Sequence, residues 1–223
     1  MLVVDDDLNV AGVVVGYLER AGHRALHVAD GRKALNAISA ELPDLVLLDL
    51  MLPEVDGLEV CRQVRAEHPD LPVIMLTALG EADERIVGLE LGADDYVTKP
   101  FSPRELILRI ESVLRRTRDA PAPQRVLSAG PVTLDTAARV ATRGSDELAL
   151  TTREFDLLAF LMAHPGRAFS RAELMQHVWG WTFGDQSTVT VHVRRLREKV
   201  EDDPTSPVLI KTVWGIGYRL EAP

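Results

Sequence analysis

Four short apolar runs in the first half of the chain each end on polar residues. Leu2-Val3-Val4 leads into Asp5 and Asp6, Leu45-Val46-Leu47-Leu48 into Asp49, Val73-Ile74-Met75-Leu76 into Thr77, and Tyr96-Val97-Thr98 into Lys99. A lone Asp at the end of a buried strand need only accept turn hydrogen bonds. Three carboxylates brought together would repel unless a cation joined them. An all-oxygen ligand set favours a hard divalent ion, and Mg²⁺ binds through few carboxylates while keeping waters. With such an ion, Lys99 and Thr77 could offset charge on the oxygens of an arriving phosphoryl group. Asp49 would then be the nucleophile, forming an acyl phosphate.

The elements that must carry these residues alternate in kind. Strand patterns at Leu2–Val4, Ala25–Val28, Leu45–Leu48, Val73–Leu76 and Asp95–Thr98 are followed by helical patterns near 8–20, 31–40, 57–67, 82–91 and 103–116. Five βα units in a row predict a flavodoxin-like α/β domain with a parallel five-stranded sheet of order 2-1-3-4-5. Such sheets bind ligands beyond the carboxyl ends of their strands, where the strand order reverses. That is where Asp5, Asp6 and Asp49 would meet.

The stretch RRTRDAPAPQR breaks the pattern with charge and two prolines. It divides the chain into a first domain at 1–118, a linker at 119–125 and a second domain at 126–223. The second domain opens with short strand patterns at Leu127–Ala129, Val132–Asp135, Arg139–Arg143 and Glu147–Leu150, an antiparallel meander. Helical patterns follow near 152–163, 170–178 and 187–200. Val208–Val213 and Tyr218–Leu220 then flank Trp214-Gly215-Ile216-Gly217 as a hairpin.

Composition bounds the partners. The 223 residues are 46% hydrophobic with a single cysteine, Cys61, which excludes an intramolecular disulfide and suits a reducing compartment. No secretory signal opens the sequence and no apolar run reaches the roughly 18 residues of a membrane span. A cytoplasmic protein without a membrane partner is expected. The net charge of −9 disfavours nucleic acid at first sight. Yet residues 1–123 hold 22 acids against 13 Lys or Arg, whereas residues 124–223 hold 12 of each. Arg194, Arg195, Arg197 and Lys199 crowd onto one helix of that neutral part.

The motifs VVDDD, LLDLMLPEVDG, LTA, GADDY and KPF make residues 1–118 resemble the receiver domain of bacterial two-component response regulators. The resemblance implies phosphoryl transfer from a sensor histidine kinase to Asp49. It implies a Mg²⁺ site of Asp6, Asp49 and the backbone carbonyl of Met51, with Asp5 helping mainly through water. Thr77 and Tyr96 match the switch pair of the family, and Lys99 its phosphate-binding lysine. Only Met1 precedes Leu2, whereas receivers usually begin several residues earlier, so either the start is misassigned or the first strand is shortened. The rival of an aspartyl-phosphate hydrolase of the haloacid dehalogenase type needs a second Asp two residues after the nucleophile, where this chain has Met51. No turnover enzyme is expected beyond the domain's own phosphorylation and dephosphorylation.

Residues 126–221 resemble the winged-helix DNA-binding domain of the OmpR/PhoB group through SRAELMQHVWG, TVTVHVRRLREKV and KTVWGIGYRL. Regulators of that group pair through the fourth helix, fifth strand and fifth helix of the receiver. Here that implies a homodimer on phosphorylation, with a face including Arg85, Asp94, Asp95, Glu105 and Arg109. Arg85 with Glu105, and Asp95 with Arg109, match cross-subunit pairs of the group.

On the helix at 187–200, Val189, Val193, Leu196 and Val200 form one inward stripe. His192, Arg194 and Arg197 are expected at phosphates, and Thr188, Val191 and Arg195 at bases in the major groove of promoter DNA. Thr212, Trp214 and Tyr218 belong to the wing, Trp214 standing where several relatives carry Arg. The loop of Trp179, Trp181 and Phe183 corresponds to one that can contact RNA polymerase, although its aromatics equally suit a small core. Together the two resemblances imply a phosphorylation-controlled transcription factor binding repeated half-sites. A protein-binding winged helix without DNA affinity is the remaining alternative.

Overall fold

The computed structural model describes all residues except 79–81, 119–125, 183–184 and 222–223, and leaves the side chains of 78, 82–86 and 115–118 undescribed. The expected linker at 119–125 therefore lies outside the described residues. Two compact units, Met1–Thr117 and Arg118–Pro223, make up the chain. No helix among the described residues is long and apolar enough to cross a membrane.

In the first unit, strands β1 (Leu2–Val4), β2 (Leu26–Val28), β3 (Val46–Asp49), β4 (Val73–Ala78) and β5 (Asp95–Lys99) alternate with helices α1 (Leu8–Arg20), α2 (Gly31–Ala40), α3 (Gly57–Glu67), α4 (Ala82–Leu91) and α5 (Pro103–Arg118). All four pairings are parallel, in the order β2-β1-β3-β4-β5. The apolar runs are continuous because β1, β3 and β4 are buried on both faces. Val3, Leu47, Ile74, Leu76 and Val97 meet Val14 and Leu18 of α1 and Leu106, Ile110 and Val113 of α5 in one core cluster. Aspartates start three of the helices. Asp7, Asp30 and Asp56 accept from backbone N–H groups of the first turns of α1, α2 and α3, which otherwise lack partners.

The second unit opens with the antiparallel sheet β6 (Val126–Ala129), β7 (Val132–Asp135), β8 (Val140–Arg143) and β9 (Asp146–Glu147). Helix α6 (Thr152–Met162) follows a capping box in which Thr151 and Glu154 satisfy each other's backbone N–H groups. Strand β10 (Ala168–Ser170), the short helix α7 (Arg171–Leu174), a π-helical turn (Met175–Trp179) and helix α8 (Ser187–Val200) come next. The hairpin of β11 (Ile210–Val213) and β12 (Gly217–Leu220) closes the unit. This is the winged-helix arrangement, with a three-stranded sheet of order β10-β12-β11 beside the helices. Trp179, Leu157, Leu161, Phe169, Val189, Val193 and Leu196 belong to its core.

Four details depart from the sequence reading. β9 ends at Glu147 because the chain turns into the capping box at Thr151, with Leu150 N–H bonding to Leu148 O. The helical pattern near 170–178 divides into α7 and the π turn, which ends at Gly180 with φ of +82°. β11 begins at Ile210 rather than Val208, since the Glu201 carboxylate takes the N–H groups of Val208, Leu209 and Ile210. β10 was not anticipated, and it exists by pairing with β12.

Candidate acidic site and nucleic-acid interface

β1 and β3 are neighbours, so their carboxyl ends bring Asp5 and Asp49 to one place. Gly57 makes room there, because a Cβ at that position would lie 2.1 Å from the Asp49 carbonyl oxygen. Asp5 is fully buried, Asp49 is 6% exposed and Asp6 is open to solvent. One carboxylate oxygen from each of the three lies within 4.8 Å of the others. The last residue of β5 answers this charge: Lys99 Nζ donates to Asp5 at 2.7 Å and to Asp49 at 2.9 Å.

Burial pushes the Asp49 carboxyl above its ordinary range, and nearby Asp5 adds to this, while the Lys99 ammonium and the Leu50 N–H oppose it. Burial would lower the Lys99 ammonium, but its two carboxylate partners outweigh that and hold it above the usual lysine value. One ammonium among three carboxylates leaves two negative charges unbalanced when all ionise. Thr77 lies one residue beyond Leu76, the β4 partner of Asp49. Its hydroxyl is buried and finds no hydrogen-bond partner among the described residues. A compact acidic cluster, a solvent-facing carboxylate and an unsatisfied buried hydroxyl suit a divalent cation with bound waters and an incoming oxyanion. Tyr96 on β5 is buried, and the side chain of Met51 points to solvent.

The expected pairing face is changed by burial. Asp94 is fully buried and accepts from Arg65 Nη2 at 2.7 Å and from the Val73 N–H at 2.9 Å. It ties α3 to the start of β5 and is withdrawn from the surface. Asp95 and Arg109, expected to reach across subunits, are buried and bridged to each other within the chain at 3.0 Å. Arg109 also donates to Glu105 at 2.7 Å. Arg85 lies outside the described side chains.

On α8 the exposed residues are Thr190, Arg194 and Glu198, with Ser187, Arg197 and Lys199 half-buried. Four of the residues expected at DNA are buried, because the helix packs over a wider arc than the four-residue stripe. Thr188, Val191 and His192 are buried, the last with its ring edge-on to Trp179 and Nδ1 at 2.8 Å from Thr188 O. Arg195 is 7% exposed and pairs with the buried Glu154 at 2.7 Å.

Arg197 turns toward the hairpin, donating to Ile210 O at 2.6 Å and to Thr212 Oγ1 at 2.9 Å. Tyr218 is buried as well, its hydroxyl donating to Thr190 Oγ1 at 3.4 Å. Arg194 and Trp214 remain exposed. Trp179 and Trp181 are core residues, and Phe183 lies outside the described residues. Sequence reasoning missed Thr190 and its neighbour Arg171, whose Nε donates to Thr190 Oγ1 at 3.1 Å. The spacing of Thr190 from Ser187 and Arg194 was the available signal.

Residues 1–111 match the family described as response regulator receiver domain, and residues 145–220 match the one described as transcriptional regulatory protein, C terminal. The chain is 47% identical to the sensory transduction protein RegX3 of Mycolicibacterium smegmatis, over 99% of this chain and 98% of that protein. It is 45% identical to the DNA-binding response regulator MtrA of the same organism, over 100% of this chain and 97% of that protein. Among solved structures, a RitR mutant aligns with a TM-score of 0.79 and 26% identity, over 100% of this chain and 98% of that one. Response regulator DrrB, a Thermotoga maritima OmpR/PhoB homologue, aligns with a TM-score of 0.53 and 34% identity, over 99% and 97%.

Proposed function

Because this chain belongs to the OmpR/PhoB family of response regulators, phosphorylation-dependent regulators of transcription that bind DNA, we propose that Asp49 is its phosphoacceptor and α8 its DNA-reading helix. The observation that carries the first part is Lys99 bridging two buried carboxylates beside an unpartnered Thr77 hydroxyl.

A sensor histidine kinase supplies the phosphoryl group. An Asp49 carboxylate oxygen bonds to phosphorus as the bond to the phosphohistidine nitrogen breaks, and the freed imidazole keeps the electron pair. Asp6, Asp49 and the Met51 carbonyl would hold Mg²⁺, with Asp5 acting mainly through water, and the ion supplies charge to offset the phosphoryl oxygens. Lys99 and the Thr77 hydroxyl orient those oxygens. Drawing Thr77 toward the phosphoryl group is the switch, with buried Tyr96 filling space behind it. The homodimer is assigned to the α4, β5 and α5 side, where Glu105 remains partly open. Its site of action is promoter DNA in the cytoplasm.

Duplex binding tests the DNA half. The logarithm of affinity should fall linearly with the logarithm of salt concentration, and phosphorylation by acetyl phosphate should raise affinity. Arg194→Ala is expected to weaken binding similarly across sequences and to reduce the salt slope by about 0.9, the value for one phosphate contact. An unchanged slope would remove Arg194 from the interface. No salt-dependent binding by the wild type would favour a protein partner for the winged helix.

A further inference from the structure

We propose that His27, on β2, is a positioning residue for the divalent cation: its Nε2–H fixes the Asp5 carbonyl and thereby aims the Asp6 carboxylate. This rests on the reading of the acidic cluster as a Mg²⁺ site. His27 Nε2 lies 2.8 Å from Asp5 O, a contact between residues 22 apart in sequence. A carbonyl oxygen can only accept, so the bond places the ring proton on Nε2.

Asp6 is the member of the cluster with the least to hold it. Asp5 and Asp49 share the Lys99 ammonium at 2.7 and 2.9 Å. The Asp6 carboxylate is open to solvent, and among the described residues no hydrogen bond or ion pair holds it. Its direction is therefore set by its backbone. The peptide unit that leads into Asp6 is the one whose oxygen His27 takes. Turning that peptide would swing Asp6 away from Asp5 and Asp49, whose carboxylate oxygens lie within 4.8 Å of its own.

The same turn is held from its other side. The Asp7 N–H donates to Asp5 Oδ1 at 3.0 Å, and the Asp7 carboxylate caps α1 through the Asn9 N–H at 2.8 Å. Upstream, the Asp5 N–H bonds to Val28 O at 3.2 Å, and β2 ends at Val28. A longer β2 would continue the parallel ladder with a backbone N–H at Asp5 O. The chain turns off instead toward the α2 cap at Asp30, and the His27 imidazole supplies the donor. Register gives it the reach, since His27 pairs with Val3, two residues before Asp5. β2 is an edge strand and His27 is only half-buried, so replacing this side chain leaves the core of the unit in place. Groups that orient metal ligands from behind typically contribute about 10–100-fold in metal affinity.

The test is calorimetric titration of the unphosphorylated full-length protein with Mg²⁺ alone. His27→Met and His27→Gln introduce side chains of nearly the same shape, and only Gln carries an N–H donor. His27→Met should bind Mg²⁺ about tenfold more weakly, and His27→Gln should recover most of that loss. In His27→Met, uptake from acetyl phosphate should need about tenfold more Mg²⁺ to reach half its maximal rate, with a smaller effect on the rate at saturating Mg²⁺. In the wild type, the ring ¹⁵N shifts of His27 should show the proton on Nε2 and should move when Mg²⁺ is added, a readout that needs no variant. Mg²⁺ binding by His27→Met equal to that of the wild type would overturn the proposal. So would equal weakening in both variants, or a His27 proton fixed on Nδ1. A wild type that binds no Mg²⁺ would overturn the reading of the acidic cluster itself.

Discussion

Replacing Glu154 by Ala is expected to destabilise the second unit by roughly 3–5 kcal/mol, the cost of stranding a buried partner charge. Glu154 is fully buried, with Arg195 Nη2 at 2.7 Å and Lys199 Nζ at 2.6 Å. Its carboxylate also accepts the Thr151 N–H that opens α6. Truncation removes the capping box and leaves the Arg195 guanidinium enclosed without its carboxylate. Thermal unfolding followed by near-UV circular dichroism would register the loss. The double variant Glu154→Leu, Arg195→Met should recover most of it, because no buried charge is then left unpaired.

The same pair sets a pH dependence. Burial would raise the Glu154 carboxyl, but Arg195 and Lys199 outweigh it and hold the group below its ordinary value. A folded-state value below the unfolded one contributes stability above the unfolded value, and that stability is lost as pH falls through the folded one. Wild type should therefore lose this contribution on acidification below the usual glutamate range. The double variant should lack that part of the slope. Equal acid sensitivity in both would show that the Glu154 pair does not carry it.

Lys99→Ala is expected to separate cation binding from phosphoryl uptake. Without the ammonium, Asp5 and Asp49 face each other with no countercharge from the protein. Mg²⁺ should then bind more tightly and raise the thermal midpoint further than in wild type. Phosphoryl uptake from acetyl phosphate should fall about a hundredfold, the loss typical of one preorganised charge donor. Opposite movement of the two readouts is the signature. Uptake at the wild-type rate would remove Lys99 from the chemistry.

The acidic site was legible because each of its residues ends a strand, and strand ends in a parallel sheet converge whatever the details of packing. Apolar runs and turn signals suffice to place Asp5, Asp49, Thr77 and Lys99. Helix α8 was harder. Four apolar residues marked one side, but α8 is buried over a wider arc that takes in Thr188, Val191, His192 and Arg195, with α6 meeting Arg195 and the π turn meeting His192. Arg195 looked available because charge usually seeks water. Its fate was set by the buried Glu154 of α6, a partner far from it in sequence. Strand β10 left no periodic trace, since three residues are too short to show one, and the helical pattern near 170–178 did not distinguish the π turn from a continuous α-helix. Asp94 looked like a surface acid beside Asp95, yet the Arg65 guanidinium draws it inward, an interaction between residues 29 apart in sequence.

Intact mass after incubation with Mg²⁺ and acetyl phosphate, beside the Asp49→Asn variant, tests the phosphoacceptor most directly. One phosphoryl group gained by the wild type and none by the variant is the predicted result. Equal uptake by Asp49→Asn would place the acceptor on another residue and contradict the assignment of Asp49.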